Sequence, residues 1–226
     1  NTAKYSGVVN AVYCGDKAEI WEYIFAEHGL ETVIAFFILF AGIVTVIFSI
    51  ALGVVYRTKF DMEYLGWCMI MAAGWMVGES KLRQVLVPNA TVLATLCFVM
   101  IMLGPLPIIY YIDSMQSGRH QKLFWIAEAA AIVNFAVCTI LHLSGAKDYI
   151  ETLPIAHVIL AVTLVLILGT VFYDMYHGYI TQNRFMVVGL LIAVVSVVVE
   201  SISAYFVISI SGIFMGIGMI VLLFFS

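Results

Sequence analysis

Long apolar runs, each close to the length that carries a helix across a bilayer, recur through this chain with only short polar breaks between them. The hydrocarbon core takes roughly 20 apolar residues per helical span. A single run near the start would fit a secretory signal peptide, but a series does not. Charge is too sparse to clothe a water-facing surface. Of the 226 residues, 11% are charged and 64% hydrophobic, against roughly 25% charge in a soluble domain. Mean hydropathy is +1.09. The reading is an all-α membrane protein, a seven-transmembrane helix bundle preceded by a short amphipathic helix, with the lipid bilayer as its first partner.

Spans are expected over about 32–56, 62–80, 91–113, 123–143, 154–176 and 185–208, followed by a short last run from Gly212 to Phe225. Only Ile208 to Ser211 separate the last two, so missing loop residues and a lost C-terminal continuation are expected. The start at Asn1 rather than Met also suggests a cropped chain. Residues 16–29 read as the amphipathic helix. Asp16 caps it and Glu19 follows three residues later, as in a capping box. Ile20, Trp21, Ile24 and Phe25 share a face that Glu19, Glu22 and Glu27 leave, and Gly29 serves as a stop. Trp21 suits a membrane interface. Residues 1–30 are thus assigned as an extracytoplasmic remnant or linker, and 31–226 as the seven-helix sensor domain. Gly104, Pro105 and Pro107 weaken the third span, because each proline frees a carbonyl that neighbouring helices must satisfy. They form either a fixed kink or a hinge.

The net charge of −4 and the lack of a basic block argue against nucleic acid as a partner. Cys14, Cys68, Cys97 and Cys138 form no CxxC pair, so no metal or redox motif is expected. No paired aspartates, HExxH or GxSxG stand in the spans, so no catalytic residue is assigned and an intramembrane enzyme ranks last. No cofactor is expected, since the lysine that would hold retinal is missing from Gly212–Ser226. An animal-type receptor is disfavoured too. The third span ends Ile108-Ile-Tyr-Tyr-Ile-Asp-Ser-Met115 without Asp/Glu-Arg-Tyr, and the last has no proline.

Lysine and arginine do not orient the bundle. With the N-terminus outside, the inner loops hold Arg57, Lys59, Arg119, Lys122 and Arg184, and the outer parts hold Lys4, Lys17, Lys81, Arg83 and Lys147. The positive-inside rule is therefore tied. Tyr56, Tyr64, Trp67, Tyr110, Tyr111, Trp125, Phe172 and Tyr173 gather at one interface as an aromatic belt would.

Ionisable groups at membrane depth are costly and generally face the bundle interior. Glu79 ends the second span, with Trp75 one turn earlier, Arg83 one turn later in favourable i,i+4 pairing, and Lys81 and Gln84 beside them. His142 ends the fourth span, and Glu151 and His157 flank Pro154 in the fifth. Glu200 lies in the outer half of the sixth with Ser196 and Ser203 on its face. A carboxylate there needs a partner or a proton. Trp75, Glu79, Lys81, Arg83, His142, Glu151, His157 and Glu200 are therefore the candidate ligand-binding set, a polar pocket open to the outside for a small charged or hydrogen-bonding ligand. The bland reading is a local Glu79–Arg83 ion pair with histidines at headgroup level. Glu128 and Asn134 in the fourth span read as structural, and Asp113, Asp174 and His177 as solvated helix ends. Asn89-Ala-Thr91 fits a glycosylation sequon.

Trp75 to Gln84, WMVGESKLRQ, resembles the tryptophan–glutamate–glutamine stretch that ends the second helix of certain bacterial sensors. Asp148 to His157, DYIETLPIAH, is similar to their leucine-proline-histidine start of the fifth helix, and Gly104 to Tyr111, GPLPIIYY, to their third. The IWEYIF ahead of the first span, Ile20 to Phe25, also matches. The chain thus resembles the bacterial seven-transmembrane receptors with diverse intracellular signalling modules, in the branch fused to GGDEF diguanylate cyclases. The resemblance implies an N-terminus outside the cytoplasm, a C-terminus inside it, an unknown small ligand, and a cytoplasmic output domain in a longer parent that works as a homodimer. No GGDEF, kinase or phosphatase motif stands in the chain itself. A membrane-embedded sensor in the cell membrane is the leading expectation. The alternative is a small transporter or channel relaying protons through Glu128 and Glu200, although no internal repeat of the transporter kind is visible.

Overall fold

A computed structural model of the chain describes residues 14–58, 60–80, 82, 89–179, 184–206 and 212–225. Among them every regular element is a helix. In chain order these are α1 (Lys17–Tyr56), α2 (Met62–Glu79), α3 (Ala90–Leu103), α4 (Pro105–Met115), α5 (Gln121–Leu143), α6 (Tyr149–Tyr176), α7 (Arg184–Phe206) and α8 (Ile213–Phe225). The stretch expected to have lost loop residues, 208–211, lies outside the described residues.

Five helical stretches are long and apolar enough to cross a membrane: α1, Thr91–Met115 across α3 and α4, α5, α6 and most of α7. The second and last helices, expected as spans, fall short of that standard for different reasons. In α2, Glu63, Glu79, two tryptophans, one tyrosine and three glycines dilute the apolar residues over only 18 positions. α8 is strongly apolar but has 13 residues.

The amphipathic helix does not stop at Gly29. α1 continues for 40 residues, about 60 Å at 1.5 Å per residue, twice the hydrocarbon thickness. A glycine stop needs a left-handed backbone, and Gly29 is not among the positive-φ glycines. Asp16 does cap the helix, but its carboxylate takes the Lys17 amide at 2.7 Å, one residue on, in place of the amide three residues on that a capping box uses. Farther along, Gly145 and Gly178, at φ +70° and +73°, end α5 and α6. There the Ala146 amide donates to the Leu141 carbonyl and the Tyr179 amide to that of Asp174, the long closing bond of a Schellman turn. These tight turns return the chain beside itself.

Gly104 separates α3 from α4 without leaving the helical region, at φ −52° and ψ −34°, and its amide still donates to Met100 at 2.8 Å. Pro105 and Pro107 lack an N–H, so the Ile101 and Leu103 carbonyls have no partner one turn on. The third crossing is thus one helical path with a proline-weakened middle. Both prolines are buried.

α2 lies inside, touching α1, α3, α4 and α8, while α5, α6 and α7 follow round the side. The distribution of side chains is that of a membrane-embedded, multi-pass protein. Large apolar side chains such as Phe37, Phe40, Phe48, Trp125, Ile140 and Phe185 face outward, while Thr32, Ser49, Thr163, Asp174 and Glu200 are buried. Lipid offers no hydrophobic gain for helix pairing, so small residues that let backbones approach carry much of the contact. Gly42 and Gly66 do this between α1 and α2. A Cβ on Gly66 would stand 2.6 Å from Val46 Cγ2 and 2.9 Å from the Gly42 carbonyl. In α8, Gly216 fits against Ile34 and Ile38 of α1, and Gly218 against Ser196 of α7.

Candidate functional site

Near the level where α2 and α7 end, a cavity of about 90 Å³ opens among α2, α3, α4, α6, α7 and α8. Its walls follow helical spacing. Cys68, Met71, Ala72 and Trp75 form one stripe of α2, and His157, Leu160 and Leu164 one of α6. Val197, Glu200 and Ser201 face it from α7, and Met215 and Met219 from α8. Gly104 and Ile108 contribute at the proline-weakened segment. The cavity is therefore apolar with a few polar groups at defined places, the usual composition of a small-molecule site.

Glu200 is 2% exposed. Its Oε1 accepts the Gly212 amide at 2.5 Å, immediately before α8. Gly212 caps that helix, its carbonyl accepting from the Gly216 amide at 2.9 Å. The orphan amides at the start of a helix give this side chain its hydrogen-bond donor. The partner that Glu200 was expected to need is, for this oxygen, the start of the last helix. Its second oxygen, Oε2, is buried without a hydrogen bond. Gly212 itself has φ +94°, a backbone that only glycine adopts easily.

His157 enters the same cavity. Its Nδ1 donates to the Leu153 carbonyl, 3.1 Å away, which can only accept. Ser201 donates its hydroxyl hydrogen to the Val197 carbonyl at 2.8 Å.

Of the sequence-derived set, Trp75, His157 and Glu200 come together in this cavity. Glu79 lies one turn beyond, where its Oε1 accepts from the Cys97 thiol at 3.6 Å and Gly78 lets α3 approach closely. His142 is engaged elsewhere, 3.5 Å from Asp148 and stacked on Tyr149 at 4.2 Å beside the turn from α5 to α6. Glu151 is exposed in the first turn of α6, where an acidic side chain suits the helix dipole. Lys81, Arg83 and Gln84 lie outside the described residues. Gly104 lines the cavity with no displacement of its backbone from helical values. Ser196, one turn before Glu200, bonds the Ile192 carbonyl and meets α8 at Gly218. The Ser201 contribution was legible in the spacing 197, 200, 201, which is one helical stripe.

At the other end of the bundle, Asp174 departs from the expectation of a solvated helix end. It is wholly buried, with Arg119 Nη1 3.0 Å from one oxygen and His120 Nε2 3.0 Å from the other. Arg119 also lies 3.8 Å over the Tyr179 ring. The turn between α4 and α5 is thereby fastened to the end of α6. The Ser114 hydroxyl donates to Asp61, tying α4 to the start of α2. Glu128 is half-buried and shares a hydrogen bond with Tyr110. Tyr111, placed in the aromatic belt by sequence, is buried in the core, whereas Tyr56, Trp67, Tyr110, Trp125, Phe172 and Tyr173 are exposed. Asn89 of the sequon caps α3, its Oδ1 accepting the Thr91 amide at 3.1 Å and the Val92 amide at 3.3 Å.

Among the described residues, no group of three or more His, Cys, Asp or Glu is arranged to hold a metal ion. No family model, curated protein or solved structure matches the chain.

Proposed function

We propose that this chain is a seven-span membrane sensor module in which occupancy of the Trp75–His157–Glu200 cavity is passed to the last helix. The count of seven takes α3 and α4 as one crossing and includes α2 and α8. The observation that carries the reading is the position of Glu200. Glu200 lines the cavity, and its Oε1 holds the Gly212 amide just before α8. A group that engages Glu200 from the cavity competes with that hold. A ligand can shift an equilibrium only by its different affinity for the two states. One hydrogen bond, worth about 0.5–1.5 kcal/mol, gives a shift of about 2- to 10-fold. The proline-weakened wall at Gly104 supports the same reading, since it makes α3 and α4 easier to displace than an unbroken helix.

The resemblance to bacterial receptors supplies the rest of the proposal. The N-terminus lies outside the cytoplasm, the C-terminus inside, and α8 leads to a cytoplasmic output domain, a diguanylate cyclase acting as a dimer in the parent protein. The test is second-messenger output from the parent protein in cells. Glu200→Gln is expected to change the response while membrane insertion is unaffected. Unchanged responses in Glu200→Gln, Glu79→Gln and Arg83→Ala together would remove the basis for the reading. The transporter alternative needs Glu128 and Glu200 on one path, and Glu128 does not line the cavity. Solute or proton flux in proteoliposomes of the purified chain would favour it.

A further inference from the structure

We infer that α7 and α8 form a hairpin that moves as one body against α1 to α6, and that the seam between the two bodies opens on the side where α7 passes α6. In the sensor reading above, this hairpin is the part that moves. That use rests on the sensor reading, whereas the division into two bodies rests on packing alone.

Within the hairpin the two backbones lie close together. A Cβ on Gly218 of α8 would stand 2.7 Å from Ser196 Cβ and 3.1 Å from Ala193 Cα. One on Gly189 of α7 would stand 3.1 Å from Phe225 Cβ and 3.5 Å from Leu222 Cα. Three polar groups of α7 also bond within the hairpin. Ser196 and Ser201 donate to carbonyls of α7 itself, and Glu200 holds Gly212 at the start of α8. The larger body is stitched by polar bonds between its own elements. Thr32 and Ser80 join α1 to the end of α2, Ser114 and Asp61 join α4 to the start of α2, and Arg119 and Asp174 join the α4–α5 turn to α6.

The contact between the bodies is of another kind. It runs mainly along α8, which lies on α1 and α2, while α7 passes α6 only sparsely. Where α8 meets its neighbours, a Cβ on Gly216 would meet side chains alone: Ile34 Cγ2 at 2.6 Å, Ile38 Cδ1 at 3.1 Å and Met76 Cε at 3.3 Å. Two spaces lie along this seam. The cavity has α2, α3, α4 and α6 on one side and α7 and α8 on the other. A cleft of about 200 Å³ continues it between Ala161 and Leu164 of α6 and Val198 and Ile202 of α7. Atoms that line a void lose dispersion contacts on that side, and lipid supplies no hydrophobic gain that would press apolar helix faces together. The seam is thus held more weakly than either body is held within itself. The line of α8 on α1 is the pivot, and the α6–α7 side is the part that opens.

The test is pulsed electron resonance on the whole chain in phosphatidylcholine vesicles, with Cys14 replaced by serine and spin labels at pairs of exposed apolar positions. Phe40 with Ile140 lies within the larger body, Val199 with Phe224 within the hairpin, and Ile140 with Val199 spans the seam. The seam pair is expected to give a broader distance distribution than either reference pair. Ala161→Phe adds a ring in the cleft and is expected to narrow the seam distribution to the breadth of the references. The Phe40–Ile140 pair reports whether that variant keeps the larger body folded, and Ala161→Leu takes its place where it does not. A seam pair no broader than the references, a hairpin pair as broad as the seam pair, or a seam breadth that filling the cleft leaves unchanged would overturn the inference. Because neither ligand nor output is measured, failure here leaves the sensor reading standing, and an unresponsive output domain leaves the hairpin standing.

Discussion

Replacing Gly66 with alanine tests how closely the first two helices approach. The added Cβ would lie 2.6 Å from Val46 Cγ2, 2.9 Å from the Gly42 carbonyl and 3.0 Å from the Val46 amide nitrogen. Two of those three atoms are backbone and cannot rotate aside, so α1 and α2 must separate. Overpacking of this kind costs typically 1–3 kcal/mol. Alanine also gains about 0.5–1 kcal/mol over glycine within a helix. The net expectation is a loss of about 1–2 kcal/mol. Gly169 in α6 provides the control. It has nothing within 4 Å of its would-be Cβ, so Gly169→Ala keeps the helical gain of about 0.5–1 kcal/mol and loses nothing. Reversible unfolding in detergent mixtures, followed by circular dichroism, reads both variants on one scale. Equal or greater stability for Gly66→Ala than for wild type would refute the close α1–α2 contact.

Other variants probe separate features. Thr32→Val removes the buried hydrogen bond between Thr32 Oγ1 and Ser80 Oγ at 2.9 Å, and the loss should be near the 0.6 kcal/mol average for such bonds in membranes, read in the same unfolding assay. Asp174→Asn weakens the fastening of the α4–α5 turn. Because the Arg119 side chain is 39% exposed, solvent screening keeps the cost at about 1–2 kcal/mol, below that of a fully buried pair, and faster hydrogen exchange over residues 116–121 should accompany it. Gly145→Ala places a Cβ at φ +70° with nothing near it, so the cost of about 1–2 kcal/mol is purely conformational and should appear as a lowered melting temperature.

Much of the helical layout was legible because apolar run length and turn residues are local signals. The runs from Thr32, Thr91, Leu123 and Pro154 each fall inside a helix of suitable length, and the run from Phe185 is helical as far as Phe206. Gly29 misled because a glycine says where a helix is able to stop, and a helix-compatible sequence on both sides with no proline gives it no reason to. Trp75, His157 and Glu200 were found because an aromatic or ionisable group in an apolar helix is conspicuous. Met71, Met215 and Met219 were not, since a methionine stripe looks the same whether it lines a cavity or fills a core. Asp174 was taken for a helix end in water because sequence does not reveal that the next turn of chain, with Arg119 and His120, folds over it. His142 and Glu79 were grouped with the pocket by their shared depth. Depth leaves the rotation of each helix open; here His142 meets Asp148, and Glu79 meets Cys97 one turn from the cavity.

The central claim is that Glu200 joins the cavity to the last helix, and the distance between the far ends of α6 and α8 measures it most directly. Spin labels at Tyr176 and Phe224, both exposed at that end, report on α8 without touching the cavity. Cys14, the exposed free cysteine, would be replaced by serine. Pulsed electron resonance on the chain in phosphatidylcholine vesicles then compares wild type with Glu200→Leu, which cannot accept the Gly212 amide. A shifted or broadened distance distribution is expected in Glu200→Leu. A distribution identical to that of wild type would contradict the link.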